Sequence, residues 1–313
     1  MTIYPIVIPT LCRYELFVKC VDSLSKCTLA EQTELVIGLD FPLNKSHEEG
    51  WKKIKTYIGA ITGFRKLTVF TSDVNLGASK NLHRLIDYVY ASYDAVILTE
   101  DDNFFSPCFL EFMNNGLNEF RDNPKIISVC GYTAMQYYGV TDNSLILTHD
   151  FSAWGVGRWK EKHKGREVEY YYNICHSLKK SYRIFKEYPS LLMMLMVMLK
   201  RKERYGDTMR SIDNMMNDTY QLRPALSMVR NLGQDGSGLH SGINPEYLTQ
   251  QISIEKHFNF SLNAIAIAFK ESRKVNKCTF GIGLSRNSFK AVSQLLYYVV
   301  KWCIFRTSKK KLS

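Results

Sequence analysis

Three adjacent carboxylates, Glu100, Asp101 and Asp102, close an apolar run in the segment "DAVILTEDDNFFSPCFLEF", residues 94–112. Like charges this close repel, and desolvation at the end of a buried strand sharpens the repulsion. A divalent cation offsets it, and hard carboxylate oxygens suit Mn2+ or Mg2+. At the mouth of an α/β sheet the partner of such an ion is a diphosphate, whose departure the metal assists. The competing reading is a solvated acidic turn, favoured by the N-terminus of the helix that follows. Asp40, at the end of "TELVIGLD", is placed to accept from a base or a ribose, or to cap a turn. Lys80, in "LGASKNLHRLIDYVYASY", offers a compact ammonium to a phosphate, or lies on a solvated helix face. Trp154 beside Gly155 offers an aromatic face on which a sugar could stack, or fills a core. In "GQDGSGLHSG", Gly233, Gly236 and Gly238 permit positive φ and hence a closing loop, with His240 as a further metal ligand or phosphate contact.

Those residues need a frame that brings them together. Apolar runs alternate with helical patterns through the first 130 residues. The strands are "YPIVIPT", "TELVIGLD", "KLTVFTSD", "DAVILTEDD" and "KIISVCGY". Helices are read in "RYELFVKCVDSLSKC", "GWKKIKTYIGAI", the Lys80 segment and "SPCFLEFMNNGLNEF", the last with Ser106 as N-cap and Pro107 at its first position. Alternation of this kind predicts βαβ units and a mostly parallel sheet between helix layers. The carboxyl ends of its strands would then carry Pro9-Thr10, Asp40, Ser72-Asp73 and the acidic trio on one edge, where ligands bind in such sheets. Beyond residue 150 the pattern loosens. Residues 166–205 read as helical and basic, and a short strand is expected at Leu226–Val229 before the glycine-rich loop.

The chain has 313 residues, 45% of them hydrophobic, enough for one large domain or two modest ones. Its +11 formal charge admits nucleic acid, an anionic membrane surface or phosphorylated small molecules as partners. None of the eight cysteines forms a C-x-x-C pair, so they are read as reduced and structural. The N-terminal stretch "MTIYPIVIPTLCRYELF" lacks the pattern of a signal peptide or membrane anchor. The run "PSLLMMLMVML" is too short to span a bilayer, which needs about 20 residues. The tail "FKAVSQLLYYVVKWCIFRTSKKKLS" reads as a helix that either lies on an anionic membrane or packs on the domain.

The segment "VILTEDDNFFSPCFLEF" resembles the metal-binding segment of GT-A-fold glycosyltransferases, above all bacterial family 2 enzymes and the N-acetylglucosaminyltransferase I family. The resemblance extends over roughly residues 3–245. "PIVIPTLCRYELFVKCVDSL" is similar to their first strand and helix, and "LVIGLDFP" to their second strand. "NLGASKNLHRLIDYVY" is similar to their N-x-G helix and "FSAWGVGRWKEK" to their AWGWATWR segment. "SIDNMM…LRPALSMVRNLGQDGSGLH" follows in the same order. It implies a GT-A (Rossmann-like) α/β fold. Residues 1–130 would bind a nucleotide-diphosphate sugar, 131–250 would bind the acceptor and supply the base, and 251–313 would form a helical, basic C-terminal extension.

The implied activity is inverting, metal-dependent transfer of a hexosyl or N-acetylhexosaminyl group, with UDP as the expected nucleotide. The acceptor would be a glycan or lipid-linked acceptor in surface polysaccharide synthesis. The implied setting is the cytoplasm, peripheral on the inner face of the membrane. Asp102 would hold the metal, with Glu100 and Asp101 contacting ribose or bound water. Pro9, Thr10, Arg13, Asp40 and Lys80 would line the donor pocket, and Trp154 and Gly155 the acceptor side. Asp213 is the implied base, with Asp207 and Asp218 as alternatives, because "IDNMM" lacks the tryptophan that commonly flanks the acid. Two other readings compete. A nucleotidyltransferase would want a glycine-rich phosphate loop after the first strand, and "PTLCRYE" has none. A basic nucleic-acid-binding protein would want a recognisable binding motif, and none is seen; no nucleic acid is expected as a partner.

Overall fold

A computed structural model describes residues 1–133, 143–163, 165–234, 245–261 and 288–307. His240, Gly236, Gly238, Cys278 and Lys309–Lys311 lie outside the described residues. The first half alternates as its apolar runs require: β1 (Ile6–Thr10), α1 (Tyr14–Ser25), β2 (Glu34–Leu39), α2 (Lys45–Ile58), β3 (Lys66–Phe70), α3 (Ala78–Tyr90) and β4 (Ala95–Leu98). Then follow β5 (Asn103–Phe105), α4 (Phe109–Glu119), β6 (Ile126–Cys130), β7 (Leu145–Thr148) and β8 (Val156–Trp159). Four helices come next: α5 (Val168–His176), α6 (Leu178–Glu187), α7 (Pro189–Arg201) and α8 (Gly206–Asn217). The remaining elements are β9 (Tyr220–Pro224), β10 (Val229–Asn231), α9 (Pro245–Leu248) and α10 (Ser288–Thr307).

Eight strands form one mixed sheet in the order β3-β2-β1-β4-β8-β6-β9-β7. β1 pairs in parallel with β2 and β4, β2 with β3, and β6 with β9, while β8 runs antiparallel to both neighbours and β7 to β9. The fold is thus the α/β class, with a mostly parallel sheet flanked by helices. A separate two-stranded ribbon pairs β5 with β10. The aliphatic faces of β1, β2 and β4 are fully enclosed, as strands between two helix layers must be. A second apolar core lies among α5–α8, built from Ile174, Ile184, Leu195, Ile212 and their neighbours. All seven described cysteines are free, six of them wholly or partly buried.

Several boundaries differ from expectation, three of them for a clear local reason. α4 starts at Phe109 rather than at Pro107, because residues 103–105 are still paired in the ribbon and Ser106 N donates to Met228 O at 2.8 Å. α2 starts at Lys45 rather than Gly50, because the Asn44 side chain accepts from Ser46 N at 3.0 Å and caps it there. The strand expected at Leu226–Val229 is Val229–Asn231. The residues before it cross from the sheet to the ribbon, with Met228 N bonded to Gly131 O at 2.8 Å. In the C-terminal extension, residues 251–261 carry neither helix nor strand, and α10 is the helix.

Candidate active site

Because β1, β2 and β4 are parallel, Thr10, Asp40 and the acidic trio leave the sheet at the same edge. β8 is antiparallel to β4 with Val156 opposite Leu98, so Trp154 and Gly155 enter the sheet at that edge as well. Antiparallel pairing across the ribbon sets Asn103 opposite Asn231 and brings Asn231 to the turn that carries the trio.

Arg13, just ahead of α1, ties two of the acids together. Its Nη1 donates to Asp102 Oδ2 at 2.7 Å and its Nη2 donates to Asp101 Oδ1. Thr10 Oγ1 donates to Asp101 Oδ2 at 2.8 Å, and Asn231 Nδ2 donates to Asp102 Oδ1 at 2.8 Å. Every carboxylate oxygen of the buried pair therefore accepts from a side chain. Gly233 N donates to Asn231 Oδ1 at 3.0 Å, and a Cβ on Gly233 would fall 2.1 Å from Asp102 Oδ2. Only a glycine allows the backbone to pass there. Burial, partly offset by Arg13, raises the Asp101 carboxyl above the usual range, while the two carboxylates raise the Arg13 guanidinium against the opposing effect of its own burial.

Glu100 stands apart from the pair. Its Oε2 accepts from Trp154 Nε1 at 3.2 Å. Desolvation, then the charges of Asp102, Asp207 and Asp101, push its carboxyl up to about 8. Asp207, in the first turn of α8, is pushed up to about 6 by desolvation and then by Asp150. Both residues are nonetheless exposed, which weakens the desolvation relative to an enclosed acid. Trp154 sits edge-on to Tyr132 at 4.6 Å and to Tyr247 at 5.7 Å. Gly155 has φ +68°, and a Cβ there would meet Phe109 and Val229 at 2.9 Å.

The other expected residues fall in different places. Asp40 is buried, and its carboxylate accepts from the backbone N–H of Phe41, Leu76 and Gly77, each at 2.9 Å. It thereby holds the Asn75–Gly77 turn that leads into α3. Lys80 is exposed on α3, and Pro9 is half-buried beside Thr10. Asp213 lies six residues beyond Asp207, rotated well around α8. Its Oδ2 accepts from Tyr171 OH at 2.9 Å, while its Oδ1 is buried with no hydrogen-bond partner. Burial pushes its carboxyl up to about 6. Asp218 is exposed past the end of α8 and accepts from Tyr220 OH at 2.7 Å. The acids therefore divide: Glu100, Asp101 and Asp102 share one turn, Asp207 feels chiefly the charge of Asp150 and adds to that on Glu100, and Asp213 faces the helical core through Tyr171. Asn231 belongs to the site and no sequence signal singled it out beyond its place before the glycine-rich loop.

For a divalent cation, the donor type is right but the set is incomplete. Among the described residues, no three His, Cys, Asp or Glu side chains could hold a metal ion together. Asp102 has two of its roughly four lone-pair sites taken by Arg13 and Asn231. A Mg2+-like ion bound by one or two carboxylates, substrate phosphates and water would need the remaining sites, on a residue that is only 5% exposed.

No family model matches the chain, and no curated protein matches it. Solved structures do. TarS of S. aureus aligns with 14% identity and a TM-score of 0.36 over 50% of this chain and 28% of its own, so the chain spans less than a third of that protein. The mannosyltransferase PcManGT from Pyrobaculum calidifontis, in complex with GDP-Man and Mn2+, aligns with 10% identity and a TM-score of 0.44 over 99% of this chain and 88% of its own. Mouse xyloside xylosyltransferase 1 aligns with 11% identity and a TM-score of 0.35 over 70% of this chain and 83% of its own.

Proposed function

We propose that the chain is an inverting glycosyltransferase that moves a hexose or N-acetylhexosamine from a nucleotide-diphosphate sugar, UDP first among the nucleotides, to a glycan or lipid-linked acceptor in surface polysaccharide synthesis. The observation that carries this reading is the meeting of Glu100, Asp101 and Asp102 with Arg13 and Trp154 at the carboxyl edge of the parallel strands. The ordered resemblance of the motifs along the chain supports it.

In this reading Arg13 and Asn231 fix Asp102, and the trio faces the donor. Trp154 presents an aromatic surface to a sugar ring, and Glu100, bonded to its indole, fixes its orientation. An α8 carboxylate takes the proton of the acceptor hydroxyl as its oxygen attacks the anomeric carbon, and the bond to the diphosphate breaks on the opposite face. Asp207 is favoured for that role over Asp213, because it is solvent-accessible and interacts electrostatically with Glu100, whereas one oxygen of Asp213 is buried and the other is bonded to Tyr171. Mn2+ or Mg2+ held at Asp102 would offset the charge of the leaving diphosphate.

The test is nucleotide release from a panel of nucleotide-diphosphate sugars, with and without Mn2+, for the native chain and for Asp102→Asn, Asp207→Asn and Asp213→Asn. Loss of a base is expected to cost about 10²–10⁴-fold. Turnover unaffected by Asp102→Asn and by both α8 substitutions would remove the site assignment, and absence of any donor binding would remove the enzyme reading.

A further inference from the structure

The positive charge of this chain is not spread over it. Residues 178–204 carry eight Lys or Arg against two Glu, and residues 288–313 carry six Lys or Arg and no acid. Those two stretches contribute +6 each, more together than the +11 of the whole chain, so everything else is close to neutral at −1. The described parts of both stretches belong to the helical subdomain: α6, α7 and the α10 helix packed on α7.

The same three helices carry the exposed apolar side chains. Among the described residues, nine of the fourteen large hydrophobics open to solvent lie on them. α10 is apolar on two sides. Trp302 and Phe305 pack on the helical core, with Trp302 Nε1 donating to Cys175 O at 3.0 Å. Leu296, Val300 and Ile304, spaced four apart, form a stripe on the side turned away, and are 60%, 54% and 59% exposed. Lys301 lies over the Tyr297 ring and Arg306 over the Trp302 ring. α6 repeats the pattern with exposed Leu178 and Tyr182 beside Lys179 and Lys186, and α7 with Met194 and Val197 ahead of Lys200 and Arg201.

We propose that the helical subdomain docks on an anionic lipid bilayer through α10, with its Leu296, Val300 and Ile304 stripe inserted at the headgroup boundary and nearby Lys and Arg side chains on the headgroups. No helix among the described residues is long and apolar enough to cross a membrane, so the mode is lying on the surface rather than spanning it. Charge selects this occupant over two others. A second copy docking through the same face would set one strongly basic surface against another. A nucleic acid would meet the charge but leave the aliphatic stripe in water, since phosphate recognition makes no use of Leu, Val and Ile. The docking face depends on these helices alone and stands apart from the transfer chemistry.

The experiment is co-sedimentation of the full chain with phosphatidylcholine vesicles and with vesicles containing roughly a third phosphatidylglycerol. Binding is expected on the anionic vesicles only, and weaker at about 1 M salt, where the screening length falls to ~3 Å. Lys200→Gln with Arg201→Gln is expected to weaken it about fivefold per charge, the equivalent of ~1 kcal/mol each. Val300→Glu with Ile304→Glu, both at exposed positions, is expected to weaken it by at least tenfold while the cooperative thermal transition is kept. Absence of vesicle binding by the native chain overturns the proposal. So does vesicle binding that survives Val300→Glu with Ile304→Glu, or a change from dimer to monomer in that variant. A chain that binds vesicles and no nucleotide sugar keeps the docking face and loses the transferase reading.

Discussion

Arg13 Nη1 lies 2.7 Å from Asp102 Oδ2, so the acid expected to meet a metal already meets a fixed cation. The same guanidinium reaches Asp101, and the pair is thereby neutralised to a single net charge without an ion. Arg13→Gln is expected to leave two buried carboxylates in mutual repulsion and to cost on the order of 3 kcal/mol in urea unfolding. It is also expected to raise the affinity for Mn2+ in a calorimetric titration, since a competing positive charge is gone. An unchanged Mn2+ affinity would mean that the ion does not sit at Asp102.

The α8 acids make a pH prediction. Asp207 is raised to about 6, chiefly by desolvation. A general base works only when deprotonated, so kcat/KM is expected to fall as pH drops through about 6, tenfold per unit below it. The limb should vanish with Asp207→Asn and persist with Asp213→Asn; the reverse pattern returns the role to Asp213. Stability runs the other way. A carboxyl whose folded pKa is raised contributes most below its unfolded value near 3.8, and that contribution is lost as pH rises through about 6. Unfolding midpoints measured across that window are expected to drop less with pH in Asp213→Asn, whose acid is the more enclosed of the two.

Gly233 passes Asp102 too closely for any side chain. Gly233→Ala is expected to push Asp102 away from Arg13 and Asn231, because the new methyl would stand 2.1 Å from Oδ2. Overpacking of this kind costs roughly 1–3 kcal/mol. Donor affinity measured by titration should fall along with the thermal midpoint; a fall in the midpoint alone would separate the loop from the donor pocket.

Asp40 anchors a turn through three backbone N–H groups. Asp40→Ala is expected to destabilise the fold by about 2 kcal/mol, as buried donors lose their acceptor. A nucleoside role adds a second signature, a larger loss of affinity for UDP than for a diphosphate lacking the base. Equal losses for both ligands would leave Asp40 as a structural anchor.

The first half of the fold was legible because β1, β2 and β4 are continuous apolar runs and the helices between them keep one apolar face. The second half was not, for reasons visible in β9. All five of its residues are buried, yet they include Gln221 and Arg223. Arg223 is tolerated there because its Nε reaches Gln221 at 2.8 Å and its Nη2 reaches Asp150 at 2.9 Å. A strand whose buried polar residues are satisfied by one another and by Asp150, far along the chain, leaves no hydrophobic pattern to read. The site divides in the same way. The acidic trio announced itself by composition, whereas the Arg13 bridge and the Asn231 contact are set by tertiary pairing. The base assignment at Asp213 followed a motif register, which carries no information on its hydrogen bond to Tyr171.

The ribbon between β5 and β10 has a consequence for synthesis. Arg13 and Asp102 are separated by 89 residues, Asn231 and Asp102 by 129. A chain that has emerged from the ribosome through residue 130 already holds the arginine that neutralises its acids, but not the strand that completes their hydrogen bonds. The acidic turn can therefore be carried safely through the first half of translation. Its bond from Asn231 forms only once β10 has followed α5–α8 out of the ribosome and paired with β5, a late and non-local step of the slow kind.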